Sequence, residues 1–198
     1  MDINEYIDKL KSSSPAPGGG SASAITSMFS ASLNSMASLL SIDKKKLIKY
    51  NDNYKNIVTE SNENINKLKL LMLDDEKYFL SIMDAFKTDK NDINRKEKIN
   101  IAIKNSITTS WKIAHISFIN IKNAYFLATR GNKNLISDAL SSVYMSYASF
   151  NTSIDNIKVN LKFYNGDGFR NDEKIKIKLF NEMIEDYINK IKKIENNL

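Results

Sequence analysis

The sequence predicts an all-α protein, an up-and-down bundle of five to six helices, on three observations. Apolar residues recur at three- and four-residue spacing in every long segment, which is the period of an amphipathic helix. Both prolines lie before residue 18, so proline forbids helix nowhere in the rest of the chain. No segment alternates strongly enough to favour strand over helix. With 198 residues and 42% hydrophobic composition, we expect a single domain over residues 1–198.

The residue types that are scarce in this chain exclude several classes of function. The sequence has no Cys, which excludes disulfides, thiolate metal sites and a Cys nucleophile. Its one His, His115, argues against a His-based metal site or a Ser-His-Asp triad, so no metal is expected. No apolar run approaches the roughly 18 residues of a membrane span, and the first residues lack the features of a signal peptide. We therefore expect a cytoplasmic protein that contacts no membrane.

The net charge of +6 gives little guidance to a partner. The lysines are spread along the chain, many of them alternate with acidic residues, and they do not cluster with aromatic residues as in a nucleic-acid platform. We therefore expect no nucleic-acid partner. The charge is compatible with a small anionic substrate.

The first predicted helix, Asp2–Lys11, leads into a loop, Pro15–Ser21, that holds both prolines and three of the six glycines. The glycines at Gly18–Gly20 permit positive φ and let a ligand or another backbone come close. Ser21 is a favourable N-cap for the following helix. A glycine-rich turn at a helix N-terminus presents backbone N–H groups, so it is a candidate cradle for an anion. The alternative is a plain connector between two helices.

The next predicted helix, Ala22–Leu40, is rich in small residues. Ala and Ser let neighbouring backbones approach closely, so we expect this helix to be central and buried. Its larger apolar side chains fall on one side: Ile25, Met28, Phe29, Leu33, Met36 and Leu40.

Asp43 is predicted to cap a long third helix that starts at Lys44 and runs to about Lys87. The later part of this helix carries a seam with the four- and three-residue steps of coiled-coil-like packing. One seam position is a carboxylate, Asp75, where Leu or Ile would be expected. Two interpretations stay open: a functional carboxylate, or a residue at the edge of a wide seam. The seam comprises Leu68, Met72, Asp75, Phe79, Ile82 and Phe86.

Asp92 is predicted to cap a fourth helix, Ile93–Thr129, with Arg95 in its first turn. A cation there opposes the helix dipole, so Arg95 is expected either to have an acidic partner or ligand, or to be a solvated side chain balanced by Glu97 or Asp92. Gly131 is a helix stop signal.

Two further helices are predicted, Lys133–Phe163 and Asp172–Glu195. The first has a continuous apolar stripe and also a polar stripe of four residues. These polar side chains need partners, so they either bond between helices or line a polar pocket. The polar stripe comprises Ser149, Ser153, Asn156 and Asn160.

Four ordered blocks of the sequence resemble a known enzyme family. The first is Ser14–Ala24 with Met36 and the turn Ser41–Lys45; the second is the Asp75 segment with Tyr78, Phe79, Met83 and Ala85; the third is Arg95 with Ala102; the fourth is Gly131–Ala139 followed by Asn156–Asn160. Together they resemble the cyclodeaminase part of formiminotransferase-cyclodeaminases and the stand-alone methenyltetrahydrofolate cyclohydrolases. The chain departs from the family pattern in lacking a Pro after Arg95 and in having Asp43 where Gly is usual.

The resemblance implies an all-helical homodimer that acts on a tetrahydrofolate derivative, with or without a polyglutamate tail, and needs no other cofactor. Both reactions of the family pass through a tetrahedral carbon at the one-carbon bridge of the folate and need proton transfer. A buried carboxylate suits that task, so Asp75 is the first candidate for the catalytic residue and Asp138 the second. The candidate substrate-binding residues are Pro17, Gly18, Gly19, Gly20 and Ser21 around the pterin, Asn156 and Asn160 at its amide edges, and Arg95, Lys44 and Lys45 at the glutamate tail.

The sequence leaves two questions open. It does not choose between deamination of formimino-tetrahydrofolate and hydrolysis of methenyl-tetrahydrofolate. The alternative function is a non-catalytic helical module of the same fold that binds folate or a partner chain.

Overall fold

The computed structural model describes residues 2–197 and contains six α-helices with no strand in that range. Short 3-10 turns precede two of the helices, at Ile48–Tyr50 and Lys133–Leu135. No helix in the described part of the chain is long and apolar enough to cross a membrane. The helices are α1 (Ile3–Leu10), α2 (Gly19–Leu39), α3 (Asn51–Lys87), α4 (Arg95–Arg130), α5 (Ile136–Phe163) and α6 (Asp167–Glu195).

Helices α2 to α5 form an up-and-down bundle, and the predicted fold class is confirmed in this respect. Ser23 bonds to Ser153, whereas Ser30 bonds to Ser142, so α2 and α5 run in opposite directions. Residue pairs between α2 and α3, between α3 and α4, and between α4 and α5 show the same antiparallel order. Helix α6 lies along the outside of α4.

The face of α2 that points into the bundle consists of small residues, as predicted for a central helix. Ala24, Ser27 and Ala31 have no exposed surface. Larger apolar side chains of α2 point away from the bundle: Phe29 is 50% exposed and Met36 is 37% exposed. The helix is therefore buried by its small face, while its apolar stripe lies on the surface of the protomer.

A ladder of buried hydroxyl groups joins α2 to its neighbours α4 and α5. Ser23 Oγ lies 3.0 Å from both Ser149 Oγ and Ser153 Oγ. Ser117 of α4 donates to Ser27 Oγ at 3.0 Å. These serines bond between helices, which was one of the two interpretations of the polar stripe on α5. Because each hydroxyl has a partner, their burial costs little and the helices can approach closely.

Helix α6 is attached to α4 through the single Trp of the chain. The Trp111 indole N–H donates to the Glu173 carboxylate, and the Trp111 and Phe180 rings pack in a tilted arrangement with their centroids 5.3 Å apart. Glu173 is only 2% exposed, and Lys176 Nζ lies 2.7 Å from its other oxygen. The buried carboxylate is thus hydrogen-bonded and paired with a cation, as a buried charge requires.

Several predicted helix ends are wrong by a few residues. Helix α2 begins at Gly19 with Gly18 as its N-cap, so Ser21 lies inside the helix and is not the cap. Asp43 does not cap α3, which begins eight residues later; its φ of 57° places it in the left-handed region, where Asp is tolerated better than most residues. Lys44 therefore lies outside any helix.

The start of α4 and of α6 also differs from the prediction. Helix α4 begins at Arg95 after Asn94, and Asp92 accepts from the Asn94 backbone N–H at 2.7 Å in the preceding turn. Helix α6 begins at Asp167, five residues before the predicted Asp172. The sequence Asn165–Gly168 has the composition of a turn but is also compatible with the first turn of a helix, so the start of α6 is predicted too late.

Candidate functional site

A cavity of about 230 Å³ lies where α2 begins, in the space that α3, α4 and α5 enclose beyond its N-terminus. We call it the Asp75 cavity. The glycine loop forms one wall, α3 and α5 form two others, and Ser106 of α4 forms the floor. The lining residues are Pro15, Ala16, Gly18, Gly19, Gly20, Asp75, Glu76, Phe79, Ser106, Asn156, Val159 and Asn160.

Asp75 projects from α3 against the first turn of α2, and Gly20 makes this approach possible. A Cβ atom at Gly20 would lie 2.0 Å from Asp75 Oδ1, far inside contact distance. Gly18, Gly19 and Gly20 all lie outside the left-handed region, so the chain does not use the positive φ that these glycines permit. Close approach is the property that the chain uses at Gly20.

Burial raises the pKa of Asp75 from 3.8 to about 6. The Ser21 backbone N–H at the start of α2 stabilises the carboxylate and opposes this shift, and the negative charge of Glu76 adds to it. The predicted cradle at the helix N-terminus is therefore occupied by a carboxylate of the chain itself. A carboxyl group with a pKa near 6 can both accept and return a proton at neutral pH.

A hydrogen-bonded network adjoins Asp75 and includes residues that the sequence analysis missed. Tyr6 of α1 lies 3.1 Å from Ser21 Oγ, and Ser21 Oγ donates to Glu76 at 3.4 Å. Lys9 Nζ contacts the other oxygen of Glu76 at 3.1 Å. Burial raises the pKa of Tyr6, so its hydroxyl stays protonated and can donate. The one sequence signal for Glu76 was its position next to Asp75.

The wall formed by α5 presents two amides to the cavity. Asn156 and Asn160 line it, one helical turn apart, as the polar-pocket interpretation predicted. Asn160 Nδ2 donates to Ser106 Oγ at 3.0 Å, which fixes the orientation of that amide. Phe79 and Val159 supply apolar surface beside them. The cavity thus combines an acid, two amides and apolar walls.

The structure does not bring all of the predicted site residues to this cavity. Pro17 is buried but does not line it, and its peptide bond with Ala16 is cis. Among the residues that the structure describes, no carboxylate pairs with Arg95, so the acidic partner that was one of its expected alternatives is not seen. Its guanidinium donates to the carbonyls of Thr88 and Phe86 at the end of α3, at 3.1 and 3.2 Å. Whether Arg95 also meets a substrate stays a prediction.

Lys44, Lys45 and Asp138 lie at the opposite end of the bundle from Asp75. Lys44 and Lys45 precede α3, and its first residue is about 36 Å along the helix axis from Asp75. Asp138 is in the first turn of α5, about 27 Å along that helix from Asn156. Within one protomer, these three residues cannot act together with Asp75. Their predicted roles remain untested.

A second cavity, which we call the basic cavity, occupies that opposite end, with a volume of about 970 Å³. In the described residues, none of its six cations lies within 4.0 Å of a carboxylate oxygen. Six basic side chains and no acidic one line this cavity, a cluster that the spread of lysines along the sequence concealed. The six cations are Lys44, Lys45, Lys46, Lys49, Arg130 and Lys133.

Comparisons with known proteins all match this chain to folate one-carbon enzymes of one family. A family model described as Formiminotransferase-cyclodeaminase matches residues 2–196. A Methenyltetrahydrofolate cyclohydrolase of Methylorubrum extorquens is 33% identical over 164 residues, which are 81% of this chain and 79% of that protein. The Formimidoyltransferase-cyclodeaminase of Gallus gallus is 23% identical over 174 residues, 86% of this chain but 32% of that longer protein.

A solved structure shows the same fold. The formiminotetrahydrofolate cyclodeaminase of Thermotoga maritima superposes with a TM-score of 0.91 and 24% sequence identity, covering 98% of this chain and 95% of that one.

Proposed function

This chain belongs to the formiminotransferase-cyclodeaminase family, and from that premise we propose that it is an enzyme acting on the one-carbon bridge of a tetrahydrofolate derivative. The single observation that carries the proposal is the Asp75 carboxyl group, with a pKa of about 6, held in a cavity between two amides and apolar walls. The names of the relatives support a folate substrate.

Asp75 acts as the acid and base of the reaction. In hydrolysis, water adds to the methenyl carbon while Asp75 accepts a proton from it. Asp75 then returns this proton to one bridging nitrogen as its bond to that carbon breaks, the hydroxyl on the carbon loses its proton to solvent, and the product is formyl-tetrahydrofolate. In deamination, the bridge nitrogen attacks the formimino carbon and gives up its proton to Asp75, which returns it to the amino group on that carbon as the C–N bond breaks and ammonia leaves. Both need a group that is basic and acidic near neutral pH. The cyclohydrolase name of the relative at 33% identity supports hydrolysis as the main activity.

The other residues of the Asp75 cavity hold the substrate. Asn156 and Asn160 offer amide donors and acceptors for the edges of a pterin ring, and Phe79 offers an apolar surface for its face. The glycine loop at Gly18–Gly20 leaves room for the ring to approach the backbone. Tetrahydrofolate is the only cofactor-like molecule that this chemistry needs.

The working form is a homodimer in the cytoplasm. The apolar stripe on α2 supports the dimer, because a stripe of large apolar side chains along a whole helix is typical of an interface. Phe29, Met36 and Leu40 are all at least 37% exposed in the protomer.

An absorbance assay tests the proposed function directly. Methenyl-tetrahydrofolate has its own absorbance band, so its loss by hydrolysis and its formation from formimino-tetrahydrofolate can be followed in one cuvette. We expect turnover of at least one substrate, reduced about 10²–10⁴-fold in Asp75→Asn. Tight binding of both folates without turnover would refute the enzyme and leave a folate-binding module.

A further inference from the structure

We propose that α1 is part of the catalytic apparatus and that its residues Tyr6 and Lys9 are positioning residues for Asp75. Neither side chain lines the Asp75 cavity, so each acts through an intermediate: Tyr6 through Ser21, and Lys9 through Glu76. The role of Asp75 in the reaction rests on the proposed function. The contacts between α1 and the residues around Asp75 rest on the geometry of the chain.

The way in which α1 is attached to the bundle points to this role. Tyr6 is the one buried residue of α1. Ile3 and Ile7 are each 50% exposed, so apolar packing within the protomer contributes little to the attachment of the helix. In the described part of the chain, two side-chain hydrogen bonds join α1 to other helices, from Tyr6 to α2 and from Lys9 to α3. Both end on residues beside Asp75.

A directional chain of hydrogen bonds runs from α1 to Glu76. Ser21 Oγ donates to Glu76 Oε1 at 3.4 Å, so the Tyr6 hydroxyl is the donor in its 3.1 Å contact with Ser21 Oγ. Lys9 Nζ donates to the other oxygen of Glu76 at 3.1 Å. Both oxygens of this carboxylate are therefore held by contacts that depend on α1. The same chain fixes Ser21, whose backbone N–H stabilises the Asp75 carboxylate.

Two acidic side chains and one cation set the charge at this wall of the cavity. Glu76 is the titratable residue that lines the cavity besides Asp75, and the glycine loop, α4 and α5 contribute none to the lining. Tyr6 faces the site from α1, and burial keeps its hydroxyl protonated. The Glu76 carboxylate disfavours a second negative charge on Asp75, and Lys9 cancels part of that repulsion. Lys9 therefore makes it easier for Asp75 to give up its proton.

These contacts decide in which direction each variant moves the titration of Asp75. Lys9→Met removes the cation and should raise the titration midpoint by about 0.5 pH unit; the shift is small because solvent screens a half-exposed ion pair. Glu76→Gln removes the repelling charge and should lower the midpoint by about the same amount. Tyr6→Phe releases Ser21, which weakens the N–H contact with the Asp75 carboxylate and should raise the midpoint.

Carboxyl ¹³C NMR measures this midpoint without any substrate. The Asp75 signal is assigned by its absence from the spectrum of Asp75→Asn, and each variant is titrated from about pH 4 to about pH 8. Lys11→Met is the matched control, because Lys11 lies on the same helix and pairs with Asp8 instead of Glu76. It should leave the midpoint unchanged, as should Lys9→Arg, which keeps the cation. Unchanged midpoints in Lys9→Met and Glu76→Gln, or shifts of the same sign, would overturn the proposal.

Turnover of the folate separates a positioning role from a purely structural one. In Tyr6→Phe, kcat should fall about 10-fold while KM changes less than about 2-fold, because the reacting carboxyl group is displaced and the amides that hold the substrate are not. Tyr144→Phe is the control, since Tyr144 also donates to a carboxylate, that of Glu195 at the end of α6, and it should keep the wild-type kcat. Equal kcat values in the two variants would overturn the role of Tyr6.

The pH profile of kcat/KM joins the two measurements, because its acidic limb reports the titration of the catalytic group in the free enzyme. In Lys9→Met this limb should move in the same direction as the NMR midpoint, and far-UV circular dichroism verifies that the helices are intact. If the wild type turns over no folate, the proposed function fails, while the NMR midpoints still decide whether α1 acts on Asp75. If the wild type is active and all variants have the wild-type midpoint, the function stands and the role of α1 is refuted.

Discussion

Replacing Asp75 by Asn should stabilise the protein, and the gain should depend on pH. The pKa of Asp75 is about 6 in the folded protein and 3.8 in the reference state. The folded state therefore holds the proton more tightly than the unfolded chain, so wild-type stability falls as the pH rises from about 4 to about 6. A shift of two pKa units corresponds to about 3 kcal/mol in the free energy of unfolding.

Asn keeps the shape of the side chain and can still accept from the Ser21 backbone N–H, but it has no charge to bury. The Asp75→Asn variant and the wild type should thus have similar free energies of unfolding near pH 4, apart from a constant offset. The gap should widen across the titration and reach about 2–3 kcal/mol in favour of the variant above about pH 7. Urea unfolding followed by far-UV circular dichroism at several pH values measures it.

Asp74→Asn is the matched control, because Asp74 is the preceding residue of α3 and does not line the cavity. The difference in free energy of unfolding between Asp74→Asn and the wild type should not widen between pH 4 and pH 7. If the gap between Asp75→Asn and the wild type is the same at pH 4 and pH 8, the Asp75 carboxyl group titrates normally. The argument for its acid and base role would then lose its physical basis.

The remaining predictions concern the glycine loop and both faces of α2. Gly20→Ala should lower turnover about 10²-fold, since the Asp75 carboxylate must move by about 1 Å; Gly19→Ala, whose Cβ would meet Thr152 at an ordinary 3.8 Å, should keep most of it. Equal activity of the two variants would disprove the role of close approach. Ala31→Leu should cost about 1–3 kcal/mol by overpacking, read from the urea midpoint. Phe29→Glu should give a monomer in sedimentation without loss of helical circular dichroism; an intact dimer would remove α2 from the interface.

The helices could be predicted from the sequence because periodicity is a local property. Each segment with a long apolar repeat is a helix in the structure, and the small residues of α2 correctly predict that this helix is buried. The face that it buries was not specified, since a helix with a small stripe and a large apolar stripe can bury either one in its own chain. Ala24 and Phe29 lie on opposite faces of that helix. Which face of α2 is buried depends on the elements that pack against it, and the periodicity of one helix carries no information about them.

The candidate site was predicted in part for a similar reason. Asp75 stood out as a carboxylate on an apolar seam, and Asn156 with Asn160 as amides at helical spacing. Tyr6 and Ser106 gave no such signal, because a Tyr in an amphipathic helix and a Ser in a long helix are both ordinary. Their contacts with the site span more than 50 residues of sequence in the case of Ser106 and Asn160. Such contacts arise from the tertiary fold.

Because α6 is attached through Trp111, the fluorescence of this residue is an intrinsic probe of the contact between α4 and α6. Trp111 is the only Trp of the chain, and its indole N–H bonds to Glu173 while its ring lies against Phe180. Its fluorescence therefore reports whether α6 is docked on α4. If α6 detaches before the α2–α5 bundle melts, the emission changes at a lower urea concentration than the circular dichroism does. A difference between the two transitions would identify α6 as a separately unfolding segment.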